Sequence, residues 1–128
     1  MKFGYAISYV PDVRATVAFY EKAFGLTAGF ADDEGQFAEL ETGGTAIAFA
    51  QEDMVRDMGV DFTPLRPEHP PAGVEIALVT DDVAAALDRA LRAGATVVRH
   101  PERKPWGQTV AYVRDLNGML VELCTPVS

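Results

Sequence analysis

The chain carries the same series of segments twice. Tyr5-Ala-Ile-Ser-Tyr-Val10 is a short, apolar, β-prone run. Asp12 follows it, then a helical recurrence through Val13, Val17, Phe19, Tyr20 and Phe24, closed by Gly25. Val74-Glu-Ile-Ala-Leu-Val79 opens the series again, with Asp81-Asp82, then Val83, Leu87, Ala90 and Leu91 at helical spacing, closed by Gly94. An aspartate ahead of such a run serves as N-cap, because its carboxylate accepts from the free amides of the first turn. A glycine behind the run ends the helix. Gly25-Leu-Thr27 matches Gly94-Ala-Thr96, an offset of roughly 70 residues, which is longer than solenoid periods and points to two paired modules.

Three strands are predicted after each helix: Ala28–Asp32, Gln36–Glu41 and Thr45–Ala50, then Thr96–His100, Gln108–Arg114 and Met119–Thr125. Turn-forming residues separate them at Asp33-Glu34-Gly35, Thr42-Gly43-Gly44 and Asp115-Leu-Asn-Gly118. Each module thus reads βαβββ, and the fold class is α+β. One domain is expected over 1–128: module 1 at about 1–50, a connection at about 51–72, and module 2 at about 73–128. The connection holds Pro64, Pro67, Pro70 and Pro71 and a short helical turn near Asp53–Met58. Its length suits either a functional loop or a plain linker.

A hydrophobic content of 48% in 128 residues is enough for a single core. The net charge of −8 argues against a nucleic-acid partner, whose phosphates select a basic surface. No apolar run approaches the roughly 18 residues of a membrane span, and Met1-Lys-Phe-Gly-Tyr5 has no signal-peptide character. One cysteine, Cys124, excludes an intrachain disulfide framework. The expectation is a cytoplasmic protein with neither membrane nor nucleic-acid partners.

Two βαβββ modules, Val10-Pro-Asp-Val13 with Ala18-Phe-Tyr20, and Pro105-Trp-Gly107 with Arg114-Asp-Leu-Asn-Gly-Met-Leu-Val-Glu-Leu123 together resemble the vicinal oxygen chelate (glyoxalase/bleomycin resistance/dioxygenase) superfamily. That group includes glyoxalase I, extradiol dioxygenases, fosfomycin-resistance enzymes and bleomycin-binding proteins. The resemblance covers nearly the whole chain, and the terminal motif is its specific part. It implies a cup-shaped mixed sheet with helices outside. In metal-dependent members it implies four ligands, commonly His, Gln and Glu, on the first and last strands of each module. Those positions here are Tyr5, Ala48, Glu75 and Glu122. Ala48 has no donor atom, and a tyrosine phenol is ordinarily protonated to about pH 10. Glu75 and Glu122 suffice for a weak, water-assisted divalent metal, but not for a tight zinc site. The expectation is therefore no intrinsic cofactor, with a weak divalent metal on Glu75 and Glu122 as the alternative.

Because strand side chains alternate, same-parity residues share a face. The cup face then takes Tyr5, Ile7 and Tyr9 from the first strand, and Phe37, Glu39 and Glu41 from the third. Ala46, Ala48 and Ala50 form a bare wall, opposite to the core-facing Ile47 and Phe49. The second module adds Glu75, Ala77 and Val79, then Gln108 and Tyr112 behind Trp106, and finally Leu120, Glu122 and Cys124. Aromatic walls and two or three carboxylates suit a flat, partly cationic or hydrogen-bond-donating ligand. Plainer roles remain open: Trp106 capping the sheet edge, Gln108 satisfying a backbone group, Glu75 in a structural ion pair. Glu122, alone in an apolar run, is a ligand contact, a general base or a paired structural charge. His69, His100 and the Asp32-Asp33-Glu34 run read as surface, and Cys124 as a small core or wall residue. There is no phosphate loop, nucleophile elbow or Cys/His cluster.

Two functions follow. The first is a binder of a small aromatic or antibiotic-like molecule without turnover. The alternative is a lyase, isomerase or dioxygenase using Glu122 and Glu75 as bases or weak metal ligands. Exposed strand edges and the prevalence of two-fold assembly predict a homodimer, with the 51–72 connection near a cup mouth or the interface.

Overall fold

The computed structural model describes residues 1–127. The element order is β1 (Tyr5–Val10), α1 (Val13–Phe24), β2 (Ala28–Ala31), β3 (Phe37–Leu40), β4 (Ala46–Gln51), α2 (Glu52–Asp57), β5 (Glu75–Val79), α3 (Val83–Arg92), β6 (Thr96–Arg103), β7 (Thr109–Arg114) and β8 (Leu120–Cys124). They form two four-stranded mixed sheets, ordered β1-β4-β3-β2 and β5-β8-β7-β6. The architecture is α+β, as predicted. By contacts the chain divides into two compact units: Met1–Glu21 with Gly25–Pro64, and Lys22–Phe24 with Leu65 onward.

In both units the first strand lies at one edge and pairs in parallel, β1 on β4 and β5 on β8, and the remaining pairs are antiparallel. The helices start where the aspartates are. Asp12 and Asp82 are the N-caps, and their carboxylates accept from the amides of Ala15 and Ala85 at 3.0 Å. Gly25 ends α1 with φ +71°, a left-handed conformation that glycine adopts without penalty.

One face of each sheet is covered by its helix. In the first unit Val13, Phe19 and Tyr20 are buried with Val10, Ala38, Leu40 and Phe49. The Tyr20 ring lies 5.0 Å from that of Phe49 and 5.9 Å from that of Phe19. In the second unit Val83, Leu87 and Ala90 of α3 are buried with Ala111, Val113, Val121 and Leu123. Both helix-facing sets have the parity expected from alternation.

Three details depart from the sequence reading. Strand β6 continues past His100 to Arg103, through Pro101. It is an edge strand with register shifts between Val97 and Arg99 and between Arg99 and Glu102, the setting in which a missing amide is tolerated. The Asp32–Glu34 run is more than a solvated turn, since Asp32 Oδ1 accepts from the Gln36 and Phe37 amides at 2.8 and 3.2 Å. Ala48 and Ala50 are 0% and 4% exposed, so the alanine wall is not bare. Longer side chains flank both, in the rows Ile7–Ala48–Glu39 and Tyr9–Ala50–Phe37. The connection begins with α2, where the sequence predicts a short helical turn near Asp53–Met58, and Gln51 Oε1 caps it by accepting from the Met54 amide at 3.0 Å. Among the described residues, no helix is long and apolar enough to cross a membrane.

Candidate ligand-binding site

The face of the second sheet away from α3 holds the acidic groups. Register sets Ala77 beside Glu122 and Glu122 beside Tyr112, with Glu75–Leu120–Arg114 as the next row and Val79–Cys124–Val110 on the other side. The Tyr112 hydroxyl donates to Glu122 Oε1 at 3.1 Å. Partial burial, then the negative charge of Glu122 and a hydrogen bond to it, raise the Glu75 carboxyl above its ordinary value. Glu75 is otherwise an exposed residue at the start of its strand. Burial and the Glu122 hydrogen bond likewise raise Tyr112, which keeps its proton and remains a donor. Burial foremost, then Glu122, pushes the Cys124 thiol up to about 11, and its Sγ lies 3.8 Å from the Leu78 carbonyl oxygen. A thiol so placed is inert near neutral pH.

Trp106 and Gln108 stand at the head of β7. The indole Nε1 donates to Gln108 Oε1 at 2.7 Å, and Gln108 Nε2 donates to the Thr125 carbonyl at 2.7 Å. Both ends of the amide are therefore committed, while Trp106 is 63% exposed. The glutamine orients the indole, and the ring is left available for stacking.

In the first unit, Tyr5, Ile7, Tyr9, Phe37 and Glu39 share the face away from α1. Tyr5 and Ile7 are exposed. Tyr9 meets Phe62 edge-on at 4.9 Å, and the Arg56 guanidinium lies 4.5 Å above the Phe62 ring. Phe30 joins Phe37 at 6.4 Å. Glu41 is exposed on this unit. Phe62, Arg56 and Phe30 escaped the sequence reading. An aromatic inside a proline-rich stretch was the available signal for Phe62, whereas Phe30 lies on a four-residue edge strand too short to show alternation.

The two modules place equivalent residues in equivalent registers. Tyr5 and Ala48 in the first correspond to Glu75 and Glu122 in the second, and Glu39 corresponds to Tyr112. The first module thus has Tyr5 and Tyr9 on this face and the second has Tyr112, and at the positions matching Tyr5 and Ala48 the second carries two carboxylates. Of the positions that carry ligands in metal-dependent relatives, Ala48 has no donor atom, and among the described residues no three His, Cys, Asp or Glu side chains are grouped so as to hold a metal ion.

A cavity of about 340 Å3 elsewhere in the second unit is lined by residues that include Leu78, Thr80, Asp82, Ala85, Arg89 and Leu123. It is a weaker candidate, because its polar groups are occupied. Asp82 caps α3, and Arg89 Nε donates to the Lys22 carbonyl at 2.9 Å.

Comparison with solved structures finds the same fold repeatedly. A glyoxalase-related enzyme from Fulvimarina pelagi is 22% identical, with a TM-score of 0.82, over 98% of this chain and 88% of that one. A glyoxalase/bleomycin resistance protein/dioxygenase family enzyme from Burkholderia phytofirmans PsJN is 19% identical, with a TM-score of 0.78, over the whole of both chains. TioX from Micromonospora sp. ML1 is 24% identical, with a TM-score of 0.68, over 98% of each. No curated protein matches the chain. The family model of the Glyoxalase/Bleomycin resistance protein/Dioxygenase superfamily matches residues 2–123, and the chain, with its paired βαβββ modules, belongs to that superfamily.

Proposed function

We propose that the protein binds a small, flat, aromatic or antibiotic-like molecule carrying a positive or hydrogen-bond-donating group, without a resident metal. The carrying observation is the second sheet's open face, where Glu75 and Glu122 adjoin and Tyr112 donates to Glu122. Two neighbouring carboxylates with no cation paired to them among the described residues favour a ligand that brings its own donor or charge. The exposed Trp106 ring, farther along the same sheet at the head of β7, supplies a stacking surface. On the first unit, Tyr5, Tyr9, Phe37 and Glu39 form a second aromatic face whose contribution is separately testable.

Benzamidine, flat and cationic, is a direct probe. It is expected to raise the melting temperature, and Glu122→Gln to weaken its binding about tenfold or more, the scale of one lost charge-assisted hydrogen bond. Calorimetry showing equal affinity in wild type and Glu122→Gln would remove the carboxylates from the site. Stoichiometric metal in protein purified without chelator would overturn the metal-free reading.

The raised Glu75 carboxyl favours a second reading, in which Glu75 and Glu122 act as a base pair in a lyase, isomerase or dioxygenase reaction. Turnover of hemithioacetals, catechols or epoxides, lost in Glu122→Gln, would establish it over simple binding.

A further inference from the structure

Arg114 shares the open face of the second sheet with Tyr112, and its row runs Arg114–Leu120–Glu75 across three strands. Neighbouring strands lie about 4.8 Å apart, so the Arg114 and Glu75 backbones are separated by roughly 10 Å. An arginine and a glutamate on one face can close that gap. Yet the guanidinium points elsewhere. Its Nε donates to the Gly118 carbonyl at 3.0 Å, Nη1 to Pro67 at 3.0 Å, and Nη2 to Arg66 at 3.1 Å and His69 at 2.6 Å. Its fork is spent on four main-chain oxygens, three of them in the strap ahead of β5. The strap has a bond of its own, His69 amide to Arg66 carbonyl at 3.1 Å. Gly118 is part of the same joint. With φ +93°, it comes so close that an added Cβ would meet the Arg66 oxygen and Arg114 Nη2 at 2.6 Å each.

We infer that Arg114 is a positioning residue with two competing sets of partners: held by the 66–69 strap, it is withheld from Glu75 and Glu122, and the pair stays uncompensated for a ligand. This rests on the binding reading above for its consequence, but not for its test. The groups around Glu75 on this face are Glu122 and Cys124 on β8, Tyr112 and Arg114 on β7, and Arg99 on β6, which is in register with Tyr112 and ion-pairs with Glu102 at 3.9 Å.

The test is an NMR titration of the Glu75 carboxyl together with amide exchange at His69, both without ligand. Arg114→Ala is expected to speed His69 exchange about tenfold while leaving the Glu75 midpoint unmoved. A lysine cannot span four carbonyls. Arg114→Lys should therefore free the strap and lower the Glu75 midpoint by about one pH unit, as a newly available cation does. Gly118→Ala, which displaces the strap with Arg114 intact, should also lower it. If Arg114→Ala raises the midpoint, the arginine already pairs with Glu75 and the inference fails. It fails equally if Arg114→Lys and Gly118→Ala both leave the midpoint unchanged. Because neither readout needs a ligand, a wrong binding reading would leave these results standing.

Discussion

Glu75 binds its proton more tightly in the folded chain than its ordinary value of 4.5. Such a raised group contributes stability fully below the unfolded value and loses that contribution as pH rises through the folded value. Glu75→Gln cannot ionise, so it is expected to be more stable than wild type at neutral pH. The difference should vanish below about pH 4, as urea midpoints across pH would show. Cys124, raised to about 11, is expected to resist iodoacetamide at pH 8 in the native protein and to react after unfolding. Trp106→Ala should weaken benzamidine binding severalfold, on the scale of one aromatic contact. It should change stability by no more than about 0.5 kcal/mol, as an exposed side chain does; paired calorimetry and urea titration would separate the two effects. At this scale the sequence was informative about Glu122, whose apolar neighbours marked it, and about Tyr112, which shares its parity. It left Gln108 open between a ligand and a backbone group, because which one the amide faces depends on Thr125 lying beside it.

Secondary-structure elements were legible in their number, order and buried faces. The reason is local: alternation sets a strand's two faces, and aspartate and glycine set helix ends, all within a few residues. Asp12→Ala and Asp82→Ala are each expected to cost about 1 kcal/mol, the usual worth of an N-cap. Phe49→Ala, buried against Tyr20, should cost about 3–5 kcal/mol. By contrast, Val79→Ala on the exposed face should fall within about 0.5 kcal/mol. Chemical denaturation of the set would test whether the two faces differ as assigned. Strand ends moved by a residue or two, and β6 ran longer, because pairing with β7 decides where a ladder stops.

At the scale of the molecule, both sheets finish on unpaired edges. Every residue of β2 and β6 is exposed, and Phe3, Tyr5, Ile7, Val74 and Val79 add exposed apolar surface. Such edges invite pairing, and a C2 homodimer is the expected assembly. Light scattering should return about twice 13.8 kDa without concentration dependence in the micromolar range, and a monomer mass would discard the dimer. The repeat, the two modules, their α+β character and the parity of each strand face were set by the sequence alone, since each depends on residues close together in the chain. Tertiary structure decided the rest. Which carboxylates adjoin, whether Ala48 is open or buried, and which oxygens hold Arg114 all turn on strand register and on contacts between distant residues. Arg114 and Arg66 lie 48 positions apart, and no local pattern could have paired them.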